Sequence, residues 1–185
     1  MFGKFKHWFN GKTNHQLKIN PQLINIHGHQ YLLRCATNQD VSSMVEIERQ
    51  NFGTPPWSAN AFELELSRFR DRLYLVITYD SQVVGYIGAS FNWYHRESHI
   101  TNIAVLPAYH SQGVGEHLIR ALFQASTRVG MTTMSLEVRV SNTRAQQLYQ
   151  RLGFHQSKLK RRYYIDDHED AWEMKVNLRS EEEDN

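Results

Sequence analysis

The 185-residue chain has little cysteine, no long apolar run and little net charge, and each shortage excludes a class of protein. The single cysteine, Cys35, rules out an intrachain disulfide framework and a cysteine-rich zinc site. A lone thiol fits a reducing compartment, so we expect a cytoplasmic protein. No segment approaches the roughly 18 apolar residues of a membrane span, and no signal peptide is visible. The net charge of +2 argues against direct nucleic-acid binding.

Acidic side chains are absent before Asp40, whereas the last residues, 181–184, are all acidic. The basic start of the chain also carries aromatic residues at helical spacing: Phe2, Phe5, Trp8 and Phe9. Such a segment can pack on its own domain or on a partner, remain disordered, or lie on a membrane surface. We favour docking on protein and expect no membrane contact. The chain is thus divided into a basic arm (1–30), one domain (31–178) and an acidic tail (179–185).

Hydrophobic periodicity predicts a mixed α/β domain with the element order β-α-α-β-β-β-α-β-α-β-β. A polar stretch over 12–28 is interpreted as a linker or loosely packed arm. Short connections indicate an antiparallel meander in the first half of the domain, and the period then changes to helical over 113–129. The expected strands are 31–36, 73–79, 83–91, 99–105, 134–140, 154–164 and 171–178.

The segment from His110 to Gly115 is the sharpest local feature, with two glycines between a predicted strand and a predicted helix. Glycines let backbone amides approach a ligand, and a helix start adds unpaired N–H groups and a positive dipole end. This combination suits a diphosphate, although glycines at such a turn can be purely structural. The spacing is neither the Rossmann dinucleotide fingerprint nor a phosphate loop with Lys followed by Ser or Thr.

Glu137 lies within an otherwise apolar, β-prone run. A carboxylate in mid-strand is costly to bury unless its charge is paired. Because strand residues alternate between faces, Glu137 shares a face with Arg139, and the two could form a surface ion pair. The alternative is that Glu137 is a base in a cleft. Asn142 can cap the helix that follows, and Tyr149 on that helix has the spacing of a core aromatic.

These features, in this order and spacing, resemble the GNAT acetyltransferase superfamily over roughly residues 31–178. The glycine loop matches the family's acetyl-CoA pyrophosphate motif, Q/R-x-x-G-x-G/A. Within the superfamily the sequence is most similar to RimI-type enzymes, which acetylate the N-terminal alanine of the eighteenth small-subunit ribosomal protein. The matching segments are Pro56-Trp57-Ser58, Asn102 to Val105, Leu136 to Asn142, Leu148-Tyr149 with Leu152-Gly153-Phe154, Arg162-Tyr163-Tyr164 and Glu169-Asp170-Ala171.

The resemblance implies a GNAT fold, a mixed but mostly antiparallel sheet whose fourth and fifth strands (99–105 and 134–140) splay apart around acetyl-CoA. It also implies an acyltransferase in which the amine attacks the thioester directly, with Glu137 as general base and Tyr149 as general acid. Asn142 matches the side chain that contacts the pantetheine arm. The expected cofactor contacts are Ile103, Ala104, Val105, His110, Ser111, Gln112, Gly113, Val114, Gly115 and Asn142.

For the substrate, the resemblance implies the N-terminus of a ribosomal protein and a groove with an acidic rim. Glu97 falls where the subfamily carries an acidic residue, and Asp170 is a second candidate. Glu97 can equally be a solvated residue of a turn over 94–98. Trp57 and Tyr163, which lie in matching segments, complete the expected substrate contacts. The sequence departs from the motif at His110, where Gln or Arg is usual, but backbone amides bind phosphate whatever the side chain.

Other readings remain open from the sequence. The same catalytic motifs would serve a lysine side chain, a polyamine or a small-molecule amine. A non-enzymatic acyl-CoA sensor would lack the acid and base that are present here, and an adaptor docked by the basic arm could coexist with catalysis. The ten histidines form no metal-binding motif, so we expect no metal and a solvated His27 and His29. We expect a monomer or weak dimer.

Overall fold

The computed structural model describes residues 17–178 as one eight-stranded sheet with four α-helices. Two single 3-10 turns, Asn38–Asp40 and Pro107–Tyr109, flank the first helix and the fifth strand. The helices are α1 Val41–Phe52, α2 Ala59–Ser67, α3 Val114–Arg128 and α4 Thr143–Arg151. The strands are β1 Gln22–Ile26, β2 His29–Cys35, β3 Arg72–Tyr79, β4 Gln82–Asn92, β5 Glu97–Val105, β6 Thr133–Arg139, β7 His155–Lys160 and β8 Ala171–Asn177.

The strands lie in the order β1-β2-β3-β4-β5-β6-β8-β7, and β5 and β6 form the parallel pair of this described sheet. Their pairing extends from Glu97 opposite Thr133 to Ile100 opposite Leu136 and then stops, although both strands continue. Each keeps its outer neighbour, β4 or β8, along its length. The two strands therefore splay into a V, which confirms the mixed GNAT-type sheet expected from the sequence.

Helices cover both faces of the sheet. Tyr86 of β4 donates a hydrogen bond to Glu48 of α1, whereas a Cβ atom on Gly85 would lie 3.1 Å from Val114 of α3. Because consecutive strand residues point to opposite faces, α1 and α3 lie on opposite sides of β4. β3 and β4 are buried on both faces as a result, and they read in the sequence as nearly continuous apolar runs.

The N-terminal part of the described chain differs from the expected linker. β1 pairs with β2 in an antiparallel hairpin whose turn residues, His27 and Gly28, have φ angles of 50° and 87°. Positive φ at both positions matches the right-handed twist of a two-residue hairpin. Leu17 and Ile26 are buried in the core. The sheet thus begins before the boundary expected at residue 31; the aromatic residues of the arm and the acidic tail lie outside the described residues.

The seventh strand is also shorter than expected. The sequence predicts a strand over 154–164, but β7 ends at Lys160, which is paired with Ala171 at the start of β8. Beyond this pair β7 has no partner strand, and the chain turns with positive φ at Arg162 and His168. Tyr163 and Tyr164 therefore belong to the β7–β8 loop rather than to a strand.

Within residues 17–178, no helix combines the length and apolar character needed to cross a membrane. Cys35 is half-buried at the end of β2, and its Sγ accepts a hydrogen bond from the amide of Ile19 at 3.3 Å. The thiol therefore acts as a small residue packed against the core.

α1 carries a buried carboxylate, Glu48, which accepts a hydrogen bond from the hydroxyl of Tyr86. Burial raises the pKa of Glu48, and the Tyr86 hydrogen bond opposes only part of that change. Because the folded-state pKa is raised, the contribution of Glu48 to stability is present at low pH and is lost as the pH rises through the raised pKa. When Glu48 is charged, Tyr86 is the donor that solvates its buried carboxylate.

We expect Tyr86→Phe to lower the free energy of unfolding by about 1–3 kcal/mol at pH 7, because a buried acceptor loses its donor. Thermal melts should show a fall of about 2–4 °C per kcal/mol. The deficit should shrink below about pH 4, where Glu48 is neutral in both variants. Tyr79→Phe is a matched control, since its hydroxyl contacts exposed His29. Equal melting temperatures of Tyr86→Phe and the unmodified protein at pH 7 would contradict this account.

Candidate active site

The gap between β5 and β6 opens into a cavity of about 630 Å³, which is within the usual range of ligand sites. Its wall is formed by the end of β5, the glycine loop, the first turn of α3, one side of α4 along its length, the end of α1 and the β1–β2 turn. The structure brings together nine of the ten predicted cofactor contacts around this cavity: Ile103, Ala104, Val105, His110, Ser111, Gly113, Val114, Gly115 and Asn142.

Gln112 is the predicted cofactor contact that does not line the cavity. Its side-chain nitrogen donates a hydrogen bond to the carbonyl of Ala108 at 2.7 Å. The side chain therefore closes the turn before α3, and any contribution to binding would come from its backbone.

The glycine loop adopts the backbone conformation that an anion site requires. Gly113, immediately before α3, has φ of 86°, and Ser111 has φ of 62°. Positive φ at these positions turns successive amides toward one side of the loop, and the first N–H groups of α3 have no partner within the helix. Gly115, in the first turn of α3, lines the cavity, and a Cβ atom there would come into van der Waals contact with Val105 at 3.8 Å. These amides suit a diphosphate.

His110, the first residue of the glycine loop, and Arg144 of α4 both line the cavity. His110 turns back to the strand end, where its Nε2 donates to the Val105 carbonyl at 2.8 Å. Arg144, which sequence reasoning missed, lines the cavity and donates from Nη2 to the Ser111 hydroxyl at 2.8 Å. A guanidinium beside the glycine loop supplies the positive charge that a neutral imidazole lacks. The sequence feature that could have identified Arg144 as a candidate cofactor contact is a basic residue in the first turn of α4.

The hairpin turn contributes a second residue that the sequence did not indicate. His27 is exposed, as expected, but it also lines the cavity, and its Nε2 would lie 3.8 Å from a Cβ atom on Gly113. Ile26 packs beside it, 3.5 Å from the same point. The β1–β2 turn therefore seats against the glycine loop, a contact that depends on the unpredicted strand β1.

Asn142 and Tyr149 each serve the fold and line the cavity. The Asn142 side chain caps α4 by accepting a hydrogen bond from the amide of Ala145 at 3.1 Å. The Tyr149 ring is buried and packs on Phe154, with ring centroids 5.8 Å apart. Burial raises the pKa of Tyr149, and the nearby Tyr164 raises it further. The phenol therefore keeps its proton well above neutral pH.

Glu137 of β6 is held as an anion by His99 on the adjacent strand β5 and by Lys160 on β7, which lies beyond β8. One carboxylate oxygen, Oε2, lies 3.0 Å from His99 Nε2, and the other, Oε1, accepts a hydrogen bond from Lys160. Burial alone would raise the pKa of Glu137, but hydrogen bonds from His99 and Lys160 outweigh it and lower the pKa to about 2. Glu137 is not among the residues that line the cavity.

The proposed pairing of Glu137 with Arg139 is wrong. Arg139 instead binds three carboxylates of the β7–β8 loop, those of Asp166, Asp167 and Glu169. Its guanidinium also lies 3.9 Å from the centre of the Tyr164 ring. Each side chain takes partners from elements distant in sequence: Arg139 from the loop that folds over the end of β6, and Glu137 from β5 and β7.

The predicted substrate contacts occupy different surroundings. Glu97 accepts a hydrogen bond from Ser135 and lies 3.9 Å from Lys175. Burial and then the charge of Glu137 raise the pKa of Tyr163, and its ring lies 5.4 Å from Lys160 Nζ. Tyr163 therefore shares the surroundings of the candidate base.

The other two predicted substrate contacts mainly hold their own loops. Trp57, in the α1–α2 connection, packs on Phe62 with ring centroids 5.6 Å apart. The Asp170 side chain accepts from the amide of Arg162 at 2.7 Å and so closes the β7–β8 loop. Among residues 17–178, no cluster of His, Cys, Asp and Glu has the arrangement of a metal site.

Comparison with known proteins gives one consistent family. A sequence model of the Acetyltransferase (GNAT) family matches residues 41–154. The chain is 38% identical over 141 residues to a Bacillus subtilis protein named putative ribosomal protein bS18-alanine N-acetyltransferase, covering 76% of this chain and 91% of that protein. It is 35% identical over 142 residues to the N-alpha-acetyltransferase RimI of Mycobacterium tuberculosis, with coverage of 75% and 87%.

A solved structure shows the same relationship in three dimensions. The crystal structure of the ribosomal-protein-S18-alanine N-acetyltransferase from Escherichia coli superposes with a TM-score of 0.73 at 28% identity. The match covers 84% of this chain and 98% of that chain. The family match at 41–154 includes both splayed strands and also the glycine loop and α4, which with the end of β5 line most of the cavity described above.

Proposed function

Because this chain belongs to the Acetyltransferase (GNAT) family and is an N-acetyltransferase, we propose that it acetylates the N-terminal α-amine of ribosomal protein bS18, which begins with alanine, using acetyl-CoA. The Bacillus subtilis and Escherichia coli relatives named above support the substrate, since the names of both give that activity. The proposal also takes Glu137 and Tyr149 as the groups that handle the protons of this reaction.

The observation that carries the proposal is the V between β5 and β6. Tyr149 lies at the cavity wall, and Glu137 is the first residue of β6 beyond the last β5–β6 pair, at Leu136. An acyl donor bound along the cavity and an amine held near Glu137 would meet where the strands part. Direct attack within one complex uses this proximity and requires no enzyme nucleophile.

The residues around the cavity fit acetyl-CoA, which when bound supplies an acetyl group activated as a thioester. The amides from Ser111 to Gly115 bind the diphosphate, with Arg144 adding positive charge. The backbone of residues 103–105, facing the gap, pairs with the amide groups of the pantetheine arm as an added strand would. Asn142 contacts the same arm.

Glu137 acts on the attacking nitrogen. A carboxylate whose pKa is about 2 stays charged throughout the physiological range, so it stabilises the positive charge that develops as the amine bonds to the carbonyl carbon. It then accepts the nitrogen's proton, directly or through a water molecule. The substrate nitrogen takes the place of the Lys160 ammonium at one carboxylate oxygen. Tyr149 holds a proton at its phenolic oxygen and gives it to the leaving sulfur.

The protonation of the two amine classes favours an α-amine over a lysine side chain. An α-amine has a reference pKa of about 8, so roughly a tenth is neutral at pH 7. Lysine, at about 10.4, is neutral in well under a thousandth of molecules. A carboxylate as weakly basic as Glu137 gives little help with deprotonating lysine, whereas an α-amine needs little help.

Intact-mass analysis tests the proposal. A peptide beginning Ala-Arg is incubated with acetyl-CoA and the full-length protein, beside the same peptide with a blocked N-terminus. We expect a single added acetyl group on the free peptide and none on the blocked one. Acetylation of lysine at an equal rate on the blocked peptide would reject the α-amine assignment, leaving the family's general acetyl transfer to another amine as the alternative.

We expect Arg144→Ala to weaken acetyl-CoA binding by roughly fivefold at low salt, because an exposed charged contact contributes about 1 kcal/mol. The difference should narrow at high salt, which screens the guanidinium from phosphate. Isothermal calorimetry gives the Kd directly. Arg120→Ala is the matched control, since Arg120 is an exposed arginine on α3 that binds Glu116 and does not line the cavity. If both variants bind as tightly as the parent, Arg144 has no part in cofactor binding.

A further inference from the structure

A chain of hydrogen-bonded side chains connects Glu137 to Glu97 across the closed end of the V. His99 Nε2 lies 3.0 Å from Glu137 Oε2, and His99 Nδ1 lies 2.9 Å from the hydroxyl oxygen of Ser135. The Ser135 hydroxyl in turn donates to Glu97 Oε1. Two carboxylates that the sequence singled out for separate roles are therefore joined through one imidazole and one hydroxyl.

The parallel register of the two strands creates this chain. His99 lies opposite Ser135 in the β5–β6 ladder, and Glu97 and Glu137 are each two residues from a member of that pair. Because strand residues alternate, all four side chains lie on one face of the sheet. This shared face ends where β5 and β6 stop pairing, and Glu137 is the first residue of β6 beyond that point.

The Ser135 hydroxyl orients one side of the His99 ring. Ser135 has one hydroxyl proton and gives it to Glu97, so its oxygen is left to accept from His99 Nδ1. With Nδ1 at Ser135 and Nε2 at Glu137, the imidazole bridges the hydroxyl and the candidate base. Ser135 is almost fully buried, so its hydroxyl has these two partners in place of bulk water.

We propose that His99 is a positioning residue for Glu137, and that Ser135 and Glu97 act on catalysis through it. The inference rests on the proposed function, because it concerns how the candidate base is held. His99 fixes Oε2 of the carboxylate, which leaves Oε1 as the oxygen shared between Lys160 and the substrate nitrogen. Loss of the hydroxyl or of Glu97 frees the imidazole to turn, and Glu137 turns with it.

This role for Glu97 differs in its kinetics from recognition of a basic side chain at the groove rim. A rim carboxylate would change KM for an Ala-Arg peptide and leave an Ala-Ala peptide unaffected. A carboxylate that acts through His99 lowers kcat on both peptides equally and changes KM little, because the acetyl-transfer step is altered rather than peptide binding.

The test compares the full-length protein with its Ser135→Ala and Glu97→Gln variants on both peptides. We expect kcat to fall on the order of tenfold in each variant, with KM within about twofold, since misplacement of a reacting group is costly. Ser157→Ala is the matched control, because Ser157 also donates to a carboxylate, Glu173, on a neighbouring strand but does not contact His99. Unchanged kcat in both test variants would overturn the proposal, as would a KM change confined to the Ala-Arg peptide.

A spectroscopic measurement separates failure of this inference from failure of the proposed function. Ring-nitrogen NMR of His99 is recorded in the parent, Glu97→Gln and Ser157→Ala proteins, with no peptide present. We expect the chemical shifts of the His99 ring nitrogens to change in Glu97→Gln and to stay at the parent values in Ser157→Ala. If the parent acetylates no peptide but these shifts occur, the connection stands and the substrate assignment fails. If Glu97→Gln leaves the ring signals unchanged, the connection is absent whatever the activity.

Discussion

Replacement of Glu137 by glutamine is expected to lower kcat for a peptide beginning with alanine by at least about tenfold at pH 7. Glutamine preserves the size of the side chain but removes the charge that stabilises, and then deprotonates, the attacking nitrogen. The loss should shrink as the pH rises past the amine's own pKa, near 8, because less deprotonation is then required. Since the pKa of Glu137 is about 2, the parent's rate profile above pH 5 should show no step from this carboxylate.

Glu173→Gln provides the matched control for that result. Glu173 lies opposite Glu137 on β8 and, like it, is near Lys160, at 3.7 Å, but its described contacts do not include His99. We expect its kcat to stay within about twofold of the parent. An unchanged kcat at pH 7 in Glu137→Gln would exclude Glu137 as the group that acts on the amine.

Tyr149→Phe should reduce kcat by about 10²–10⁴, the usual range for loss of a general acid, with little change in the Kd of acetyl-CoA. The substitution removes only the hydroxyl and keeps the ring that packs on Phe154. Burial raises the pKa of Tyr149, so the phenol is fully protonated when the sulfur departs. A thiol has a pKa near 8.5, so the leaving thiolate gains from a proton delivered at that moment.

Calorimetry and turnover together decide this assignment. Tyr109→Phe is the control, because Tyr109 is a second tyrosine that lines the same cavity and has no proposed part in the chemistry. We expect near-normal kcat for Tyr109→Phe. Lost acetyl-CoA affinity with normal turnover in Tyr149→Phe would make Tyr149 a binding residue and leave the proton donor to be found elsewhere.

The long elements with clear hydrophobic periodicity were predictable from the sequence. The strand at one edge of the sheet, β1, was not. The sequence offered Asn142 as a helix cap, and its side chain accepts a hydrogen bond from the amide of Ala145 at the start of α4. β1 was missed because an edge strand needs only one apolar face, and here only Ile26 of its five residues is fully buried. The splay of β5 and β6 was expected from family resemblance, since periodicity carries no information on where two strands part.

For the site, the sequence identified the chemical groups but not their partners. Glu137 was singled out as a carboxylate in an apolar strand, yet its contacts come from His99 and Lys160 on other strands. Such partners depend on strand register, which the sequence alone leaves unspecified beyond the face each residue occupies. The same limit concealed Arg144, whose relevance depends on the position of α4 beside the glycine loop.

The V has a further consequence for how the sheet meets other molecules. Sheets ordinarily expose unpaired backbone at their outermost strands, where a strand from another chain can add and begin aggregation. In this protein a comparable stretch of unpaired backbone lies in the sheet interior, on β5, which is flanked by β4 and by β6 with its neighbour β8. A polypeptide strand with its side chains would have to force β6 away to reach it, whereas a slender, unbranched chain would not. The fold thus leaves unpaired backbone on β5 that a slender ligand can pair with, while β6 and β8 block the addition of a strand from another chain.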